Sequence, residues 1–162
     1  MTDKIIQGGS RANTSGNTLE ASISAVVGSK GFDVVNYKIW ESNKDKFGKE
    51  LLLCNVPYQT IYGHNGKTEF VLLSETDGLE IRIECKWQQV SGSVDEKYPY
   101  LYLNCMQMPE ETVFIIVDGG GAKKGAVEWL KDAPAMFPCD KSITVFNLVE
   151  FLSWANKTLL PR

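Results

Sequence analysis

The polar and apolar positions of this chain fall into two periods, and the changes between them mark out its elements. Leu79, Ile81, Ile83, Cys85 and Trp87 alternate with Glu80, Arg82, Glu84, Lys86 and Gln88, so the first set shares one face of a strand and the second shares the other. Leu51 to Val56 reads as a buried strand stopped by Pro57. Gly63-His64-Asn65-Gly66 is turn chemistry leading into a strand over Thr68 to Leu73, and Thr76-Asp77-Gly78 turns again into the strand Glu80 to Trp87. Thr112 to Val117 is a β-branched strand and Ser142 to Phe146 a last one. Helical spacing appears in Leu19, Ile23, Val26 and Val27, after an apparent capping box at Asn17-Thr18-Leu19-Glu20 and before Gly28 or Gly31. A second helix is expected from Val94 to about Met106, with Pro99 near its start, and a third over Ala122 to Leu130. Asn147-Leu148-Val149-Glu150 caps a C-terminal amphipathic helix reaching about Leu159.

Between these lie an extended segment at Phe32 to Trp40 and a charged loop at Lys44 to Lys49. Residues 1–16, rich in Gly, Ser, Asn and Thr, read as a flexible arm, and 17–162 as a single domain. The predicted order is α-β-β-β-α-β, then α-β-α. The four tryptophans, Trp40, Trp87, Trp129 and Trp154, mostly fall on apolar faces and read as core.

Composition narrows the chemistry. A formal net charge of −3 gives no bulk basic signal, so any nucleic-acid contact must rest on a local basic surface or on bound cations. The four cysteines, Cys54, Cys85, Cys105 and Cys139, lack C-x-x-C spacing, which favours free thiols and speaks against structural zinc. No apolar run approaches the roughly 20 residues that span a bilayer. A soluble, intracellular, cytoplasmic protein is expected, with no membrane partner. His64 is the only histidine and lies in a turn, which argues against a multi-histidine metal site and against Ser-His-Asp catalysis. Asp118-Gly119-Gly120-Gly121 lacks both the Gly-Lys-Ser/Thr ending of a phosphate loop and G-x-G-x-x-G spacing. It reads as a tight strand-to-helix turn, and no nucleotide cofactor is expected.

The remaining signal is acidic. Glu84 and Lys86 share the polar face of their strand, and burying them is costly unless the charges meet each other or a metal. Glu69 lies 15 positions upstream on the preceding strand, and Glu20 sits at the edge of the first helix's apolar stripe. Each has a plainer reading: Glu84 with Lys86 as a solvated ion pair, Glu69 as an exposed strand residue, Glu20 as the capping-box glutamate.

A helix with a Glu, three strands, an acid on the second, Glu-x-Lys on the third, then helix and strand: this conjunction resembles the PD-(D/E)xK nuclease superfamily. The resemblance covers roughly residues 17 to 120. It implies a restriction-endonuclease-like fold of the α/β (α+β) class, an αβββαβ core with a central mixed sheet flanked by helices and an additional C-terminal strand and helix. By position, Glu69 takes the place of the motif aspartate, Glu84 the second acid, Lys86 the lysine, Glu20 the acid of the first helix, and Gln88 the glutamine found after the motif in some branches. The chain departs from the pattern at Thr68-Glu69, where the family usually has Pro-Asp. The resemblance implies a Mg²⁺-dependent DNA endonuclease, with Mn²⁺ able to substitute, hydrolysing phosphodiesters by metal-activated water. Glu69, Glu84, the Cys85 backbone carbonyl and Glu20 are then the expected metal ligands. Lys123 and Lys124 beside the triple glycine, and Arg11 and Lys4 on the arm, are candidates for DNA phosphates. A homodimer suits double-strand cutting. An inactive nuclease-fold binding module and an RNA-directed nuclease stand as alternatives.

Overall fold

Side-chain alternation decides which residues each strand hands to which layer, and the architecture follows from that sorting. The computed structural model describes residues 11–89 and 95–162, with side chains from Thr18 onward. Along the chain run α1 (Arg11–Ser29), β1 (Asp33–Asn36), α2 (Tyr37–Ser42), β2 (Glu50–Gln59), β3 (Asn65–Ser74), β4 (Leu79–Trp87), α3 (Tyr98–Gln107), β5 (Thr112–Asp118), α4 (Lys124–Met136), β6 (Ser142–Phe146) and α5 (Leu148–Thr158). Among the described residues the strands form one six-stranded mixed sheet in sequence order. β2, β3 and β4 meander antiparallel. β1 joins β2 in parallel, and β5 and β6 extend the other side in parallel. Parallel neighbours need a crossover, and α2, α3 and α4 supply them.

One face of the sheet carries Leu52, Phe70, Leu72, Ile81, Ile83, Phe114 and Ile116, covered by Leu19, Ile23 and Val27 of α1 and by Phe151 and Ala155 of α5. The opposite face carries Val113, Ile115, Val117 and Ile143 beneath α3 and α4. Farther along that face Leu51, Leu53 and Val71 lie beneath Tyr37 and Trp40. Burying each large aliphatic side chain contributes about 1.5–3 kcal/mol. A one-residue slip of β4 would exchange Ile81 and Ile83 for Arg82 and Glu84 on the α1 face, so the register is strongly held.

The sequence reading needs several corrections. α1 is helical from Arg11, so residues 11–16 are not arm and Asn17 lies inside the helix rather than capping it. The buried stripe of Leu19, Ile23 and Val27 anchors the helix, and short polar residues oppose its backward continuation only weakly. β2 continues through Pro57 to Gln59. β1 reaches only as far as Cys54, so the missing Pro57 N–H removes no bond to that neighbour. Phe32 to Trp40 divides into β1 and α2. α3 starts at Tyr98, with Pro99 in the first turn where its absent N–H is harmless, after a 3₁₀ turn at Asp95–Lys97. α4 runs on past Leu130 to Met136 and contains Pro134. The four tryptophans pack against the core clusters but are half-buried. Residues 1–10 of the expected arm, including Lys4, and the expected helix start at Ser91 to Val94 lie outside the described residues. The four cysteines are free thiols, and no described helix is long and apolar enough to cross a membrane.

Candidate active site at a strand fork

The ladder between β3 and β4 runs from Ser74–Leu79 to Phe70–Ile83 and ends there. The ladder between β2 and β3 continues to Gln59–Asn65 but omits the position where Asn55 would face Glu69. Asn55 takes a left-handed conformation at φ 55°, which asparagine tolerates better than most residues. β3 therefore leaves β4 at Glu69, and the two strands fork. The Glu69 side chain fills the gap: its Oε2 accepts the Cys85 N–H at 2.9 Å, replacing the lost ladder bond. An extended residue sends its N–H and C=O to the same side, so the Cys85 carbonyl also faces the fork.

Glu84 projects from the other face of β4 and is only 2% exposed. Lys86 Nζ donates to Glu84 Oε2 at 3.1 Å and lies 4.0 Å from Glu69 Oε1. Glu84 Oε1 is buried without a hydrogen-bond partner. Burial raises the Glu84 carboxyl above its ordinary range; Lys86 and Thr68 oppose the shift and the Glu69 charge adds to it. Burial alone would lower Lys86, but Glu84 and Glu69 outweigh it and raise the ammonium above its usual value. Lys86 is therefore a firmly held cation rather than a base. Glu20, half-buried on α1, is raised by burial and by Glu69 and lowered by Lys86. The same acids act on the Cys85 thiol, which burial already pushes well up. Glu20, Glu69, Glu84 and Lys86 thus share one electrostatic neighbourhood. They do not form a ready-made three-acid cage: among the described residues no group of three or more His, Cys, Asp or Glu is placed to hold a metal ion.

Beneath the site lies Arg82, also 2% exposed. Its Nε and Nη2 donate to the two Glu110 oxygens at 2.5 and 2.9 Å, and Nη1 donates to Thr68 Oγ1 at 2.9 Å. The fork gives up ladder bonds, and this guanidinium ties β3, β4 and Glu110, two residues before β5, together behind it.

Gln88 is not a surface residue: it is 3% exposed, and Tyr98 donates to its Oε1 at 3.4 Å. Its backbone ties the end of β4 to the triple glycine. Gln88 N–H donates to the Asp118 carbonyl at 2.8 Å, and Gly121 N–H donates to the Gln88 carbonyl at 2.7 Å. Gly119 has φ +108°, and a Cβ there would lie 2.4 Å from the Gln88 carbonyl oxygen, so no other residue fits. Lys123 and Lys124 are exposed at the start of α4, and Lys124 sits 3.6 Å from Glu128. Neither lines the cavity beside Glu84. Arg11 lies in α1, its side chain outside the described set.

That cavity, of about 370 Å³, brings in residues the sequence reading missed. Lys67, Lys97, Tyr58, Tyr98 and Tyr100 line it with Glu84 and Lys86. Burial and the Glu84 charge push the Tyr58 hydroxyl up to about 12. One signal was available for Lys67: it lies two residues before Glu69 on the same strand.

Searches of curated proteins and of solved structures find no match to this chain. A family model for the PD-(D/E)XK nuclease superfamily domain matches residues 11–159, a span that contains the fork, Glu20, Glu69, Glu84 and Lys86. The chain belongs to the PD-(D/E)XK nuclease superfamily.

Proposed function

We propose that this protein is a Mg²⁺-dependent DNA endonuclease, with Mn²⁺ as a substitute, and that the chain from α1 onward acts as one catalytic domain. Superfamily members are usually nucleases and typically use divalent metals. The observation that carries the reading is the buried Glu84 carboxylate, its Oε1 unpartnered, facing Lys86 and Glu69 where the strands part. A buried polar atom with no partner is expensive, and a ligand that completes it relieves the cost. The donor chemistry suits Mg²⁺, being all hard oxygen: Glu84, Glu69 and the Cys85 carbonyl would hold the ion, with Glu20 as a further oxygen donor. When bound, such an ion supplies Lewis-acid chemistry, lowering the pKa of water and neutralising charge on the phosphate.

The chain's own groups do the rest. Lys86, set between Glu84 and Glu69, would donate to the attacking water or to a phosphate oxygen and offset the negative charge that grows there. Glu20, half-buried on α1 and raised by burial and by Glu69, would take a proton from the water. Gln88 and the Arg82–Glu110 pair act as positioning groups, fixing the end of β4 and the Thr68 hydroxyl. A second copy of the chain would serve the opposite strand of a duplex.

Supercoiled plasmid, linear phage DNA and an RNA transcript incubated with Mg²⁺, Mn²⁺ or EDTA test this reading. Cleavage of DNA with either metal and none in EDTA supports it. Cleavage of RNA alone, or of DNA in EDTA, overturns it.

A further inference from the structure

Two stacked tyrosines stand in solvent at the rim of the cavity that holds Glu84 and Lys86. Tyr62 is 67% exposed and Tyr100 36%, yet their ring centroids lie 5.5 Å apart with planes only 23° from parallel. His64 lies against Tyr62 at 6.1 Å but tilted by 55°, so the flat platform is the two tyrosines. The shelf is built rather than accidental. The turn bearing Tyr62 and His64 is fastened to α3, the helix bearing Tyr100: Ile61 N–H donates to Asn104 Oδ1 at 2.9 Å, and Gln107 Nε2 donates to the Gln59 carbonyl at 2.9 Å. Tyr100 lines the same cavity as the Glu84–Lys86 pair, together with Lys67 and Lys97. Both of these lysines are exposed, and among the described residues neither forms an ion pair.

Exposed flat rings beside uncommitted cations match one ligand chemistry, a strand whose base faces are open. A duplex hides those faces inside its stack, whereas an unpaired strand offers each of them to an aromatic platform while lysines follow its phosphates. We infer that the substrate strand is engaged unpaired beside the scissile phosphate, its bases stacked on Tyr62 and Tyr100 and its phosphates on Lys67 and Lys97. This deepens the nuclease reading and rests on it.

Fluorescence anisotropy in EDTA, with a labelled single-stranded DNA oligonucleotide and the blunt duplex of the same sequence, tests the inference. Wild type should bind the single strand more tightly. Tyr62→Ala and Tyr100→Ala should each weaken that binding by roughly 5- to 150-fold, with duplex binding unchanged and Phe at either position restoring it. Replacing Lys67 and Lys97 by Ala should flatten the salt dependence by about 0.7 per lysine. Equal affinity for the duplex overturns the inference, and so do alanine variants, folded by circular dichroism, that bind the single strand like wild type. Cleavage of the same oligonucleotides in Mg²⁺, beside Lys86→Ala, reports on the nuclease reading separately. Cleavage indifferent to the tyrosines sinks only the shelf, whereas tyrosine-dependent binding with no cleavage sinks only the nuclease.

Discussion

Removing Glu110 should unsettle the fold and the site together. Its two carboxylate oxygens take two donor positions of Arg82, Nε and Nη2, and both side chains are under 10% exposed. Glu110→Ala leaves a buried guanidinium holding only Thr68 at 2.9 Å and two longer contacts, to the Val56 and Pro57 carbonyls at 3.4 and 3.5 Å. Breaking one side of such a pair costs about 3–5 kcal/mol. For a chain of this size each kcal/mol lowers Tm by about 2–4 °C, so the drop should be roughly 6–20 °C. Replacing both partners, Arg82→Met with Glu110→Leu, removes the uncompensated charge and should recover most of that loss. Urea titration and thermal melts followed by circular dichroism at neutral pH measure both effects. A Glu110→Ala loss below about 1 kcal/mol would refute the reasoning, and so would a double variant as unstable as the single. The double variant should still lose cleavage rate, because Thr68 forfeits the partner that fixes it beside Glu84.

Glu84→Gln should abolish cleavage without lowering Tm at neutral pH. The Glu84 pKa is raised in the fold, so its favourable contribution is complete below the unfolded value and is lost as pH rises through the folded value. Stability of wild type relative to Glu84→Gln should therefore increase on acidification toward pH 4.5, as melts across that range will show; a constant difference contradicts the burial argument. Gly119→Ala drives a Cβ into the Gln88 carbonyl from a positive-φ position and should cost more than about 2 kcal/mol, read from urea titration, with cleavage falling as the end of β4 shifts.

The legible parts of this molecule were those with strong local signals. The α5 capping box forms as read, Asn147 accepting from Glu150 N–H at 2.8 Å and Glu150 Oε2 accepting from Asn147 N–H at 2.8 Å, because both partners lie within three residues of each other. The period-two alternation of β4 put Glu84 and Lys86 on one face, and the structure keeps them there. The Asn17 signal failed because packing of the Leu19 stripe governs the helix and other short polar residues precede it. What escaped the sequence was what depends on distant partners. Arg82 finds Glu110 across 28 positions, and the fork coincides with one left-handed asparagine on a neighbouring strand. Lys67, Lys97 and Tyr100 converge where Asn104 and Gln107 of α3 hold the β2–β3 turn, contacts spanning 43 and 48 positions.

The measurement closest to the central claim is single-turnover DNA cleavage in Mg²⁺ by wild type, Lys86→Ala and Glu84→Ala. Cutting by wild type that stops in EDTA and falls by roughly 10²–10³-fold or more in each variant is the expected result, since each removes a group aimed at developing charge or at the ion. Folded wild type that leaves single-stranded, plasmid and phage DNA all intact with either metal would contradict the account, and so would Lys86→Ala cutting as fast as wild type.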